Sequence, residues 1–240
     1  MSLEGRTVLI TGGARRIGRS LALAVARSGA DVALHYHRSE GEAEAVRDEI
    51  IGMGRQAVLL RADLGDPQTC TDLIGRLRPR TDLFALVNNA AVFEALTWET
   101  TDPASWERHL TVNLTAPFLL SQAFARTLGD RAEGRIVNLL DWRALRPGPD
   151  HLPYTVSKAG LTALTRSLAV ALAPRITVNG LALGAILPPQ AGAPAGVLDR
   201  VPAGRWAGLE EVGQALLFLL DGPAYITGEI LHVDGGRHLV

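Results

Sequence analysis

Short apolar runs alternate with helix-period segments along the whole chain, and this alternation restricts the fold more than any other feature. TVLIT at 7–11, DVALHY at 31–36, QAVLLRAD at 56–63, LFALVNN at 83–89, RIVNLL at 135–140, RITVNGLA at 175–182 and EILHVDGG at 229–236 read as strands. Between them lie helical patterns. These are RIGRSLALAVARSG at 16–29, closed by Gly29, EGEAEAVRDEIIGMG at 40–54, a helix opening near Pro67, and two long ones at 112–128 and 154–173. Strands that are apolar throughout, not at alternate positions, are covered on both faces. Helices between such strands supply that cover, so the expected architecture is α/β, a doubly wound parallel sheet.

A chain of 240 residues with 47% apolar content buries enough surface to fold as one large domain without disulfides or metals. Positions 1–240 are therefore read as a single domain. With 24 basic and 25 acidic residues and a net charge of −1, there is no electrostatic footprint for nucleic acid. Cys70 is the single cysteine, so no internal disulfide forms, and no neighbouring base marks it as a nucleophile. The opening MSLEGRTVLIT runs directly into a strand, and no apolar run is long enough to cross a bilayer. A cytoplasmic protein that engages neither membrane nor nucleic acid is expected.

The helices at 112–128 and 154–173 carry one charge (Arg126) and two (Lys158, Arg166) respectively. A helix without a polar face needs cover all round. The sheet provides one side. A second subunit provides the other, unless the chain's own segments do. The least regular stretch is 184–204, GAILPPQAGAPAGVLDRVPAG, whose Gly, Ala and Pro content reads as a substrate loop.

TGGARRIG at 11–18 follows the first strand and opens the first helix. A glycine turn there, with Gly12, Gly13 and Gly18, lets backbone N–H groups and a helix N-terminus meet a pyrophosphate. The spacing is not G-x-G-x-x-G, so the turn alone is weak. The second strand adds more. An acid about 20 residues past the glycines would bind a free ribose hydroxyl. The chain instead has HYHRS at 35–39. Arg38 and Ser39, with His37 as a further donor, suit a 2′-phosphate through charge-assisted bonds. NADPH/NADP+ is the expected cofactor.

Tyr154 and Lys158 stand at i and i+4, on one helix face. A free phenol titrates near 10, and a nearby ammonium lowers that value. The expectation is that Lys158 draws the Tyr154 pKa down, so that Tyr154 can act as an acid.

T-G-x(3)-R-I-G at 11–18, Asp63-Leu64 after the third strand, NNA at 88–90, Asn113 and Y-x-x-x-K at 154–158 occur in one order. Together they resemble the short-chain dehydrogenase/reductase family, over essentially the whole chain down to ITGEILHVDGG at 226–236. The resemblance implies a Rossmann-type fold, a homotetramer, a proton-relay role for Asn113 and a nicotinamide-ribose contact for Lys158. It also implies cofactor contacts from Gly12, Ile17, Gly18, Asp63, Leu64, Asn89, Ala90, Tyr154, Gly184 and Ile186.

Two departures carry finer information. Most of the family has glycine where Arg16 stands, and serine where Asp141 stands, thirteen residues before Tyr154. That serine donates to a substrate carbonyl oxygen. An ionised aspartate has no proton to give and repels a developing alkoxide. A pterin reverses the logic. Its reducible C=N nitrogen needs a proton, and its amino-pyrimidinone edge offers donors to a carboxylate. With HYHRS, both departures resemble pteridine reductases. The resemblance implies that Arg16 reaches both cofactor and pterin, that Phe93 stacks on the pterin, and that Asp141 and Tyr154 contact it. Dihydrobiopterin, dihydromonapterin or dihydrofolate would be the substrate. The family's Pro-Gly after the sixth strand is Leu183-Gly184 here. The competing readings are an NADPH-dependent carbonyl reductase of the 3-oxoacyl-thioester kind and a non-catalytic NADP(H)-binding regulator.

Overall fold

The computed structural model describes residues 3–77, 82–128, 133–188 and 196–240. Seven strands form one sheet: β1 (Thr7–Ile10), β2 (Asp31–Tyr36), β3 (Ala57–Arg61), β4 (Leu83–Asn88), β5 (Gly134–Asp141), β6 (Ile176–Leu183) and β7 (Ile230–Val233). The order is β3-β2-β1-β4-β5-β6-β7, and every pair is parallel. This is a doubly wound, Rossmann-type sheet. Its chain order reverses between β1 and β4, so the loops after those two strands diverge and open a crevice at their carboxyl ends.

Side-chain alternation on β1 divides the core. Val8 and Ile10 pack with α1 (Arg16–Arg27), α2 (Glu40–Gly52) and α7 (Leu209–Asp221) on one face. Leu9 joins α3 (Pro67–Gly75), α5 (Ala116–Leu128) and α6 (Leu152–Leu172) on the other. The helix ends follow local chemistry. Gly29 takes φ +94 just past α1. Asp66 accepts from Gln68 N ahead of Pro67, as a helix N-terminus prefers.

Several expected boundaries move. The third and last strands are shorter than their apolar runs, because Asp63 and Asp234 turn back to accept from backbone N–H groups of Gly65 and Gly236. The helix expected at 112–128 is preceded by α4 (Pro103–Leu110) and joined to it by a π-turn, Thr111–Thr115. Neither α4 nor α7 was expected. Of the loop expected at 184–204, residues 189–195 lie outside the described residues. Before them, Ile186 is buried and Gly184 N donates to Val233 O at 3.1 Å. Both apolar helices are covered by the sheet on one side, and among the described residues Phe118 of α5 and Val156 and Val170 of α6 are exposed on the other. Among the described residues no helix is long and apolar enough to cross a membrane.

His35, near the end of β2, ties three strands together. Its Nδ1 accepts from Gly12 N at 3.1 Å. Its Nε2 therefore carries the proton and donates to Ala62 O at 3.2 Å. Burial holds its pKa down to about 4. The unfolded chain takes up this proton below about pH 6.5, whereas the fold resists it until about pH 4. The stability is thus present above pH 6.5 and lost as pH falls toward 4. Between pH 7 and 4.5, His35 should account for a loss of about 2–3 kcal/mol. Urea denaturation of the wild type and His35→Gln at both pH values checks this, and parallel losses in the two proteins would refute it.

Candidate active site

The crevice after β1 is shaped by backbone proximity. Gly12 has φ +64, a conformation that favours glycine. At Gly18 a Cβ would lie 2.1 Å from Gly12 O, so no larger residue fits. Asn89 closes the turn from the β4 side, its Nδ2 donating to Thr11 O at 2.8 Å and to Gly12 O at 3.1 Å. Thr11 Oγ1 returns the tie, accepting from Asn89 N and Ala90 N. Arg16 is exposed and takes φ +51. Ile17 is half-buried behind it.

Beyond β2, His37 and Arg38 are exposed. Ser39 sits at the N-cap of α2 but spends no side-chain bond on capping. His37 Nε2 lies 3.6 Å from Asp63 Oδ2. Leu64 is buried in the core. The α1 N-terminus, the Gly12–Gly18 approach, the exposed His37 and Arg38 and the half-buried Ser39 fit a phosphate-rich dinucleotide.

The proton chemistry lies after β5. Asp141 ends that strand and caps the following 3-10 turn, Trp142–Ala144. Oδ1 accepts from Arg143 N at 2.9 Å, and Oδ2 accepts from Tyr154 OH at 2.9 Å. Burial raises the Asp141 pKa, against those two bonds. Lys158 is buried, and its Nζ donates to Leu139 O at 2.6 Å, 5.8 Å from the Tyr154 ring centre. Burial lowers its pKa to about 8, against the attraction of Asp141.

The expected effect of Lys158 on Tyr154 is therefore corrected. Burial, together with the charge and hydrogen bond of Asp141, holds the phenol well above its ordinary value. A carboxylate that accepts the phenol's own proton outweighs an ammonium farther away. The arrangement keeps the phenol protonated and directed at Asp141.

Asn113 lies in the π-turn and is fully buried. Its Oδ1 accepts from Val92 N at 2.8 Å, and its Nδ2 donates to Val92 O and Ser157 Oγ. This side chain joins the loop after β4 to α6. Phe93, on the same loop, leaves 55% of its surface exposed. Its ring stands edge-on to Tyr154, with centroids 4.6 Å apart. Gly184 has no room for a side chain, since a Cβ would lie 2.6 Å from Asp234 Cα. The structure thus brings Asp141, Tyr154, Lys158, Asn113 and Phe93 to one end of the sheet. Gly12, Gly18 and Asn89 line the adjoining crevice, whereas the Leu64 and Ile186 side chains point into packed core. Sequence reasoning missed His35, Thr11, Arg143, Asp150 and His151. The available signals were a histidine inside an apolar strand and the D-H-L-P run before Tyr154.

The family model described as enoyl-(acyl carrier protein) reductase matches residues 12–238. Among curated proteins, the chain is 34% identical to the 3-oxoacyl-[acyl-carrier-protein] reductase FabG of Escherichia coli (strain K12), over 248 residues covering 100% of each. Among solved structures, FolM alternative dihydrofolate reductase 1 from Brucella canis, complexed with NADP, is similar with a TM-score of 0.91 and 35% identity. That match covers 100% of this chain and 97% of the other. The corresponding protein from Brucella suis, in complex with NADP, gives 0.90 and 36%, covering 98% and 96%.

Arg16 is one of two non-glycine residues with positive φ among the described residues. The left-handed conformation costs a non-glycine residue about 1–2 kcal/mol. Glycine would relieve that cost but adds freedom to the unfolded chain, about 0.5–1 kcal/mol. Arg16→Gly should therefore keep its stability or gain up to about 1.5 kcal/mol, measured by thermal or urea unfolding. A clear loss of stability would show that the conformation is unstrained.

Proposed function

The chain belongs to the short-chain dehydrogenase/reductase family, and from that premise we propose that it reduces dihydropterins to their tetrahydro forms with NADPH. Its general activity is that of an NADP-dependent oxidoreductase. Gly12, Arg16, Ile17 and Gly18 would receive the cofactor's pyrophosphate, and Arg38 and Ser39, with His37, its 2′-phosphate. Asp63, Leu64, Asn89 and Ala90 would flank the adenosine and ribose side, and Lys158, Tyr154, Gly184 and Ile186 the nicotinamide end. When bound, the reduced nicotinamide supplies a hydride.

The observation that carries the pterin reading is the 2.9 Å bond from Tyr154 OH to Asp141 Oδ2. Reduction of a C=N bond adds hydride at carbon and a proton at nitrogen. Burial raises the Asp141 pKa, in the direction of the acid that would give that proton. The carboxylate left behind already has two donors, Tyr154 OH and Arg143 N. Those bonds strengthen as negative charge develops, which lowers the barrier. Arg16 supports the same reading, because a non-glycine residue kept at φ +51 marks strain of the kind found at functional sites. Arg16 and Phe93 would hold the pterin, Arg16 by hydrogen bonding and Phe93 by stacking. The similarity to FolM proteins, named alternative dihydrofolate reductases, adds support.

The second reading, a 3-oxoacyl-thioester reductase, is favoured by the 34% identity to FabG. Against it, the Tyr154 hydroxyl that would donate to a ketone oxygen is already engaged by Asp141 Oδ2 at 2.9 Å. A non-catalytic NADP(H)-binding regulator would have no use for this proton machinery.

We also propose a homotetramer in which the exposed Phe118, Val156 and Val170 are covered by partner copies. Light scattering at micromolar concentration should report about four times the 25.6 kDa chain mass. A monomer would refute the assembly.

Steady-state turnover of dihydrobiopterin, an acetoacetyl thioester and a blank, with NADPH or NADH, separates the readings. Dihydrobiopterin with NADPH should be the productive pair, and a preference for NADH would overturn the role of Arg38. Asp141→Asn should cut pterin turnover by about 10²–10⁴ while the KM for NADPH holds. Asp141→Ser should lose pterin reduction too. Unchanged pterin turnover in Asp141→Asn would overturn the mechanism.

A further inference from the structure

We propose that His151 is a positioning residue that sets the plane of Phe93 for a flat substrate ring; the inference rests on the pterin reading above. The imidazole stacks on Phe93 with centroids 4.1 Å apart and planes 16° from parallel. Phe93 lies on a loop with more than half of its surface exposed, and besides His151 the Tyr154 ring touches it, edge-on, so His151 is the one neighbour that lies parallel to its plane. Stacking on a substrate needs a ring whose plane is fixed before the substrate arrives, since ordering it during binding weakens affinity.

Three observations single out His151. It is the second non-glycine residue with positive φ, at +53, and such conformations persist where the surroundings enforce them. Its side chain is largely buried, with 15% exposed. Its Nδ1 meets Asp150 Oδ2 at 2.8 Å, and a carboxylate acceptor puts the proton on Nδ1. Asp150 is fixed in turn by two parallel bonds from Arg143, at 2.7 and 3.0 Å. Arg143 N donates to Asp141 Oδ1. A continuous arc thus runs from the carboxylate that handles the proton to the ring that would hold the substrate. His151 is the link that turns this polar framework into an orientation of Phe93.

The test is steady-state kinetics of dihydrobiopterin reduction with NADPH on the full chain. Asparagine tolerates the left-handed conformation and can still donate to Asp150, so His151→Asn removes the ring and little else. Its KM for dihydrobiopterin should rise about three- to tenfold, the range expected for one lost aromatic pair. The kcat and the KM for NADPH should hold, the pattern of lost binding without lost chemistry, while the lost stack lowers the melting temperature by a few degrees at most. His151→Phe restores the ring without the Asp150 bond and should bring the KM back toward the wild-type value. An unchanged KM in His151→Asn overturns the proposal. So does a parallel fall in every parameter with a larger drop in melting temperature, which would mark a structural role, or a failure of His151→Phe to restore KM. Absence of dihydrobiopterin turnover in the unaltered protein overturns the pterin reading itself, and this inference with it.

Discussion

Every strand of this sheet runs the same way, so all seven carboxyl ends meet at one edge. The site depends on that constraint. The glycine turn leaves β1, His37 to Ser39 leave β2, Asp63 follows β3, Asn89 to Phe93 follow β4, Asp141 closes β5 and Gly184 follows β6. In an antiparallel sheet, where successive loops fall at opposite ends, only about half of these groups would share an end. At the reversal point the loops after β1 and β4 part, and Thr11 and Asn89 bridge the gap with four hydrogen bonds. These bonds satisfy Thr11 O, Gly12 O, Asn89 N and Ala90 N across the gap.

Electrostatics within the site follow from burial more than from charge pairing. Asp141, Tyr154 and Lys158 each move toward their neutral forms, and loss of water is the largest cause in all three. Burial thus favours proton retention at Asp141 and Tyr154 and proton release at Lys158. A buried carboxylate is tolerated here because each oxygen has one donor. Behind the site the satisfaction is incomplete, since Asn88 Oδ1 is buried without a hydrogen-bond partner. Asn88 donates to Asn138, and Asn138 to Thr165, in a buried chain joining β4, β5 and α6.

The strands were legible because apolar runs bounded by turn residues leave few alternatives. The ends of β3 and β7 were overrun because Asp63 and Asp234 continue a strand-like pattern yet spend their carboxylates on the turns that end it. α4 escaped notice although Asp102 and Pro103 mark its start. Its eight residues are too few for a periodic pattern to stand out. Tyr154, Lys158, Asp141 and Phe93 were legible through spacing. The direction of the Tyr154 shift was not, because it depends on which charge lies closer in space, and i, i+4 spacing gives only a shared helix face. The roles of His35 and His151, though not their positions, were illegible for a related reason. Their partners Gly12, Ala62 and Phe93 are remote in sequence, and a histidine's role is set by what surrounds it.

The π-turn at Thr111–Thr115 lets one nearly continuous helix serve two unrelated targets. A π-turn holds one residue more than an α-helical turn, and one residue corresponds to about 100° of rotation and about 1.5 Å of advance. Asn113 can therefore aim at Val92 and Ser157, while Leu120 and Phe124, further along, stay locked in the core beneath the sheet. In an uninterrupted helix those two directions would be tied to a single angular phase. The extra residue offsets one phase against the other, so the geometry at Asn113 and the packing of α5 can both be met at once. Side-chain replacement cannot reproduce that offset. It is a property of chain length at one point, and it would be gained or lost only by an insertion or a deletion.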